Sequence, residues 1–375
     1  MQEEANQGVD LLSLMARSWQ LGEVVQSTCF DFNNRVVAFH TKSGTVFLAP
    51  ISDPDPVSKR TRIQADTSRI TISPRSEKIK PLTQVAVQDG GIVSIKPAPG
   101  GGFVATVASG PLLHIESDGS LRELGGESFD APRAIATSNQ AKQIAVLLEN
   151  EIAILTPEGK KAAGLPLDRE IQALAFSPDG TRLATCADDG VTLWRIGHTP
   201  TRERQLRNAA RYQHLSWSPT GRFITTALAD RGLCTWRLAD GLLIPMTEYP
   251  APSHHFNWGP NDAFLVTSGA YRIICWPLSD ADLKDAKPTP FETGMTGVVL
   301  VTAAAAQNKR DLVAAGFANG IVVVCQAGKS DELVVRGPGG GSVTSLDWTD
   351  NGMSLAIGTD DGFAALITFP DFMFK

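Results

Sequence analysis

The chain has 375 residues, 42% hydrophobic and 20% charged, with a net charge of −6. That is enough apolar material for a large core. The acidic balance disfavours a general role on nucleic acid or anionic membrane, since both need basic surfaces. Its cysteines, Cys29, Cys186, Cys234, Cys275 and Cys325, are odd in number and show no CxxC spacing. They read as reduced, mostly buried thiols rather than a disulfide framework.

The opening MQEEANQGVD is acidic and polar, unlike a secretory signal. The longest apolar run, GVVLVTAAAA at 297–306, is too short to span a bilayer. A cytoplasmic protein with no membrane partner is therefore expected. Next, DLLSLMARSW at 10–19 spaces Leu11, Leu14, Met15 and Trp19 as one face of a short helix that docks on the body of the protein.

From residue 27 onward one pattern returns. The first copy, STCFDFNNRVVAFHTKSGTVFLA, covers 27–49. Weaker copies lie at 92–115, 133–155 and 297–325, and strong ones at 171–194, 213–236, 255–276 and 343–367. From the second copy onward the period is about 40 residues. Each copy reads as three strands. Strand a ends at an aromatic residue, Phe32, Phe176, Trp217, Trp258 or Trp348, followed by a turn such as SPDG, SPTG, GPND or TDNG. Strand b carries small and β-branched residues. A second turn, ADDG, ADRG or TDDG, places Gly where positive φ is wanted. Strand c closes the unit, and linkers such as ELVVRG at 332–337 supply a fourth strand.

These copies, with the SPDG and DDG turns and the closing Trp194, Trp236 and Trp276, resemble the WD-repeat β-propeller family over roughly residues 20–369. The resemblance implies an all-β fold, a single propeller. Eight units point to eight blades, with seven as the alternative, and a strand from about Trp19 to Val25 closing the last sheet. Residues 1–18 then form an N-terminal segment and 19–375 the propeller, with a basic insertion at about 51–81. The family's name dipeptide is absent, replaced by Trp194-Arg195, Trp236-Arg237 and Trp276-Pro277, and its Gly-His is missing. In the family that His joins a buried hydrogen-bond chain; here Asp188, Thr185 and Trp194 are expected to keep part of it.

Catalytic signals are weak. The glycine runs at 98–103 and 336–343 do not continue into GK[ST] and read as turns. His214 and His255 occupy equivalent strand-a positions, but the matching Ala173 and Ser345 ligate poorly, so no metal is expected. Asp347 is the only carboxylate on the inner strands, and one acid makes no acid–base pair. No catalytic residue and no cofactor is assigned.

The segment 57–80 is unusual. Lys59, Arg60, Arg62, Arg69, Arg75, Lys78 and Lys80 face only Asp66 and Glu77, a local +5 in an acidic chain. It reads as a solvated loop or as an electrostatic arm for an acidic partner. TRERQLRNAAR at 201–211 reads as a second, shorter basic loop. The overall expectation is a non-catalytic, monomeric scaffold that binds a protein or peptide through loops on one face. The candidate contacts are His214, His255, Asp230, Arg231, Tyr271, Arg272 and Asp360, together with the basic residues of 57–80. The alternative is a propeller enzyme or small-ligand binder that uses the central channel.

Overall fold

Eight four-stranded antiparallel sheets form the protein, one per sequence unit. A computed structural model describes residues 11–63, 70–87, 90–247, 249–279, 281–283 and 288–374. Six sheets use four consecutive strands of the unit; the first blade takes its outer strand, Thr83–Val85, from beyond the insertion, whose own Thr61–Ile63 and Ile70–Ile72 pair as a separate two-stranded sheet. The eighth joins Val343–Trp348, Ser354–Thr359 and Phe363–Thr368 to an outer strand from the other end of the chain, Ala16–Gln20. Register runs from Ala16 opposite Ile367 to Gln20 opposite Phe363. The ring is therefore closed by an N-terminal strand, but one that starts before the expected Trp19–Val25. Residues 25–30 instead open the first blade.

The helix is correspondingly shorter than its spacing suggested, Leu11–Met15, and Trp19 lies in the closing strand. In the first blade strand a ends at Phe30, two residues before the expected Phe32, which falls in the turn. There Asp31 takes the turn-opening place: its backbone N–H donates to the Val36 carbonyl, as that of Ser177 does to Arg182 in the fourth blade.

The core explains the number of blades. Among the described residues the buried apolar side chains fall into eight clusters, each shared by two neighbouring blades. Between the first and last blades, Val25, Val37 and Phe39 meet Ala356, Ala364 and Leu366. A separate pack of Val36, Leu48, Ile95 and Phe103 joins the first blade to the second. The unit at 27–49 thus buries both its faces, as a member of the ring must. The second strands are the most enclosed. Every residue of Val36–Thr41 and of Ser354–Thr359 is buried, which is why small and β-branched residues fill them.

Register also fixes which turns share a face. Strand-a starts pair with strand-b ends: Val25 with Thr41, Tyr212 with Leu228, Phe256 with Thr267, Val343 with Thr359. The b–c turns and the links entering each strand a therefore lie on one face of the ring. The a–b turns and c–d connections lie on the other, as the pairing of Val36 with Pro50 requires.

Candidate functional site

The loop face gathers seven of the candidate contacts. Asp230 and Arg231 form an exposed b–c turn, anchored where the Ala229 N–H donates 2.7 Å to the Arg211 carbonyl. Tyr271 is 51% exposed in the next blade's turn. Its neighbour Arg272 reaches Glu292 only at 3.7 Å. Asp360 is exposed beside Asp361, whose carboxylate accepts from the Gly341 N–H at 2.7 Å and sits below the usual range, held first by the Thr359 hydroxyl.

His214 and His255 sit where this face meets the channel. Burial pushes both pKa values down, that of His255 to about 4; the charge of His214 adds to the shift at His255, and that of His254 to the shift at both. Both imidazoles are neutral at physiological pH, donors and acceptors rather than cations.

Within the channel the first strands present their alternate residues. Lys96 lies on the second blade, yet it couples to His214 on the fifth and Asp347 on the eighth, which places its ammonium in the lumen. Asp347 is pushed up to about 7, chiefly by burial. A hydrogen bond from the Phe30 backbone, the repulsion of Asp350 and the attraction of Lys96 modify that value. Between them Cys29 is held as a thiol, pushed up to about 12 by burial and the charge of Asp347. Other lining positions carry small or neutral groups, such as Ala136, Ala175, Ser216 and Asn257. Among the described residues no group of His, Cys, Asp and Glu is placed to hold a metal ion. No ion pair joins Lys96 to Asp347 there either. The lumen is thus polar in spots, without a paired acid and base.

Two blades retain a buried hydrogen-bond chain. In the fourth, the Trp194 indole N–H donates to the Thr185 hydroxyl at 3.1 Å. Asp188, expected to join it, is exposed on the turn instead. In the sixth, the Trp276 indole donates to the Tyr249 hydroxyl at 2.7 Å, which lies 2.6 Å from the Thr267 hydroxyl. Tyr249 therefore supplies the bridge that the missing His would have made.

A family model described as "WD domain, G-beta repeat" matches residues 167–195, the unit that holds this Trp194–Thr185 bond. The eight four-stranded sheets make the whole chain an eight-bladed β-propeller, and its fourth blade carries a WD repeat. Similar solved structures include the computationally designed Ika8 protein, at TM-score 0.63 and 16% identity over 96% of this chain and 100% of that one. Another is U3-55K, at TM-score 0.53 and 13% identity over 95% and 98%. At these identities the likeness is one of fold.

The propeller's basic insertion is placed differently from the candidates above. It leaves the first blade between strands c and d, hence on the face opposite the b–c turns. No single face presents both sets of candidates. Nor is the whole insertion an arm. Arg60 is turned inward, 6% exposed, and donates 2.7 Å to the carbonyls of both Leu14 and Ser73 and 3.2 Å to that of Asp55. Arg75 holds Asp53 through both carboxylate oxygens and reaches the Ala16 carbonyl. From the other side, Arg17 donates to the Pro50 carbonyl at 2.5 Å and that of Ile51 at 3.1 Å, and Trp19 to that of Lys80 at 2.8 Å. Val57 joins the apolar cluster around Met15 and Ala16.

The insertion is thus a clasp on the closing strand, and Arg60 and Arg75 are spent as its rivets. A buried guanidinium needs a full set of acceptors, and backbone carbonyls provide them here. Lys59, Arg62, Lys78 and Lys80 remain exposed, while Arg69 lies outside the described residues. The supposed second basic loop is largely a strand: Thr201–Arg207 is the outer strand of the fourth blade.

Sequence reasoning missed Lys96 and Cys29 as channel residues. Their signal was the period-two alternation that carries Asp347 into the lumen. It also missed an exposed apolar link, residues 295–298, beside Tyr271.

Proposed function

We propose that the protein is a non-catalytic scaffold that engages a protein or peptide partner through the b–c turn face. WD-repeat propellers are generally protein-interaction scaffolds. The observation that carries the reading for this chain is the concentration of chemically varied side chains on that face: exposed Asp230, Arg231, Tyr271 and Asp360, with half-buried Arg272, on turns of a rigid ring. The opposite face instead commits its longest loop to holding the ring shut. Free thiols, four of them buried, suit a reducing compartment such as the cytoplasm.

The test compares proteins captured by wild type, by Asp230→Lys/Arg231→Glu/Tyr271→Ala/Arg272→Glu, and by Lys59→Glu/Arg62→Glu/Lys78→Glu/Lys80→Glu. Specific partners are expected to be lost only from the first variant. Loss from the second alone would move the binding surface to the clasp.

A second reading rests on one observation, the coupled Lys96 and Asp347 in the lumen. A small polar ligand in the channel would bridge the two, with Lys96 as donor and Asp347 as acceptor. Lys96→Met/Asp347→Asn that retains every captured partner but abolishes thermal stabilisation by an added metabolite pool would favour it.

A further inference from the structure

The loop face has one segment unlike the rest. The link from the sixth to the seventh blade carries Met295, 63% exposed, and Val298, 91% exposed, next to Tyr271 at 51%. Isolated exposed apolar residues are ordinary on a surface, but a contiguous group on a recognition face marks a contact site.

This ledge is built, not loose. The Met295 N–H donates 2.7 Å to the Glu332 carboxylate, and the Gly294 N–H donates 2.8 Å to the Lys329 carbonyl. The Val301 N–H donates 2.8 Å to the Ala270 carbonyl, and that of Gly269 donates 2.9 Å to the Val301 carbonyl. A Cβ on Gly297 would lie 3.7 Å from the Tyr271 carbonyl, so the link runs against that turn. An apolar group docking there meets a surface already in place, which lowers the entropic cost of binding.

Charge continues the band. Going back around the ring, Arg272 follows Tyr271, then the exposed turn with Arg231, then Arg211, whose carbonyl holds that turn. Arg211 and Arg231 form no ion pair among the described residues, and Arg272 has only the loose contact with Glu292, itself 88% exposed. Asp230 and Asp188 also lie along the band, so it is a row of three guanidiniums with carboxylates at intervals, not a uniform basic field.

We propose that this band, from the Met295–Val298 ledge through Tyr271 to Arg272, Arg231 and Arg211, is a docking site for an extended peptide. That peptide carries an apolar anchor at one end and carboxylates at the other. The apolar side chain sits on the ledge against Tyr271; the carboxylates meet guanidiniums suited to bidentate pairing. The inference rests on the loop-face reading and narrows it to one arc and one ligand chemistry.

The test is selection of random ten-residue displayed peptides on the full-length protein, followed by binding of the recovered peptides to single variants. The enriched sequences are expected to pair a large apolar residue with Asp or Glu. Val298→Asp should weaken them at least tenfold, and Arg231→Glu or Arg272→Glu about three- to tenfold, with a shallower salt dependence for the arginine variants. Val298 is almost wholly exposed, and an unchanged melting curve for its variant separates lost binding from lost fold. No enriched family, or a basic one, overturns the proposal. Acidic peptides indifferent to Val298→Asp and to both arginine variants overturn this arc and leave the loop face standing. Peptides lost only on Lys59→Glu/Lys78→Glu overturn both.

Discussion

Replacing Asp347 by Asn should make the protein more stable at pH 8 and flatten its stability between pH 4 and 7. Asp347 ordinarily would titrate near 3.8 but is raised to about 7 in the channel, first by burial. Because the folded-state value lies above the unfolded one, the folded chain holds an extra proton between those limits. Stability from this group is fully present below about pH 4 and falls as pH rises toward 7. At ~1.4 kcal/mol per pH unit, the full span corresponds to ~4 kcal/mol. Asp347 still touches channel water, so screening reduces the realised difference, and about 1–2 kcal/mol is expected.

The Asn side chain keeps the acceptor that faces the Phe30 backbone, so packing is conserved. Lys96→Met works in the opposite direction: it removes the attraction that restrains Asp347, pushes the carboxyl higher and lowers stability at pH 8. Urea titrations of the three proteins at pH 4.5, 6, 7 and 8 measure the effect. An Asp347→Asn protein that is less stable at pH 8, or that keeps the wild-type slope between pH 4 and 7, refutes the placement of this carboxyl.

Individual contacts set further outcomes. Arg60→Ala removes three carbonyl contacts from a buried guanidinium and should cost about 2–4 kcal/mol. Deuterium exchange should then accelerate in Ala16–Gln20 before any other strand, whereas Arg62→Ala, exposed nearby, changes neither quantity. Tyr249→Phe leaves the Trp276 indole and the Thr267 hydroxyl without their shared partner and should cost about 1–3 kcal/mol, read as a lower urea midpoint. Gly190→Ala places a methyl against the Leu206 carbonyl at a φ of +128°, and should cost at least about 2 kcal/mol or prevent soluble expression.

What the sequence made legible and what it hid divide along the range of the interactions. The repeat was visible because each blade needs the same local chemistry: a turn after Phe176 or Trp217, a Gly of positive φ such as Gly190 or Gly362, and small residues in strand b. The closing strand was legible as a need but misplaced by a few residues. Leu11, Leu14, Met15 and Trp19 fit a helical face equally well, and only pairing with Phe363–Thr368 turns Ala16–Gln20 into a strand. The insertion was misread for a related reason. Arg60 and Leu14 are 46 residues apart and Arg75 and Asp53 are 22 apart, so their partnership leaves no periodic trace. A run of basic residues has one composition whether its charges face water or carbonyls.

The loop face shows the same division in a form that bears on function. Tyr271 and Arg272 could be singled out because they occupy a turn where the repeat elsewhere has ADDG or TDDG. Val298 could not, since GVVLVTAAAA looks like one buried run. The ring divides it: Val301–Ala306 forms the first strand of a blade and is almost wholly enclosed, while the residues before it cross the open face to reach it. A link that must cross water gains nothing from Met295 and Val298 by way of folding. Their cost in solubility is borne without a structural return, and that imbalance makes the ledge, rather than the charged turns around it, the place where a partner's side chain is expected to be buried.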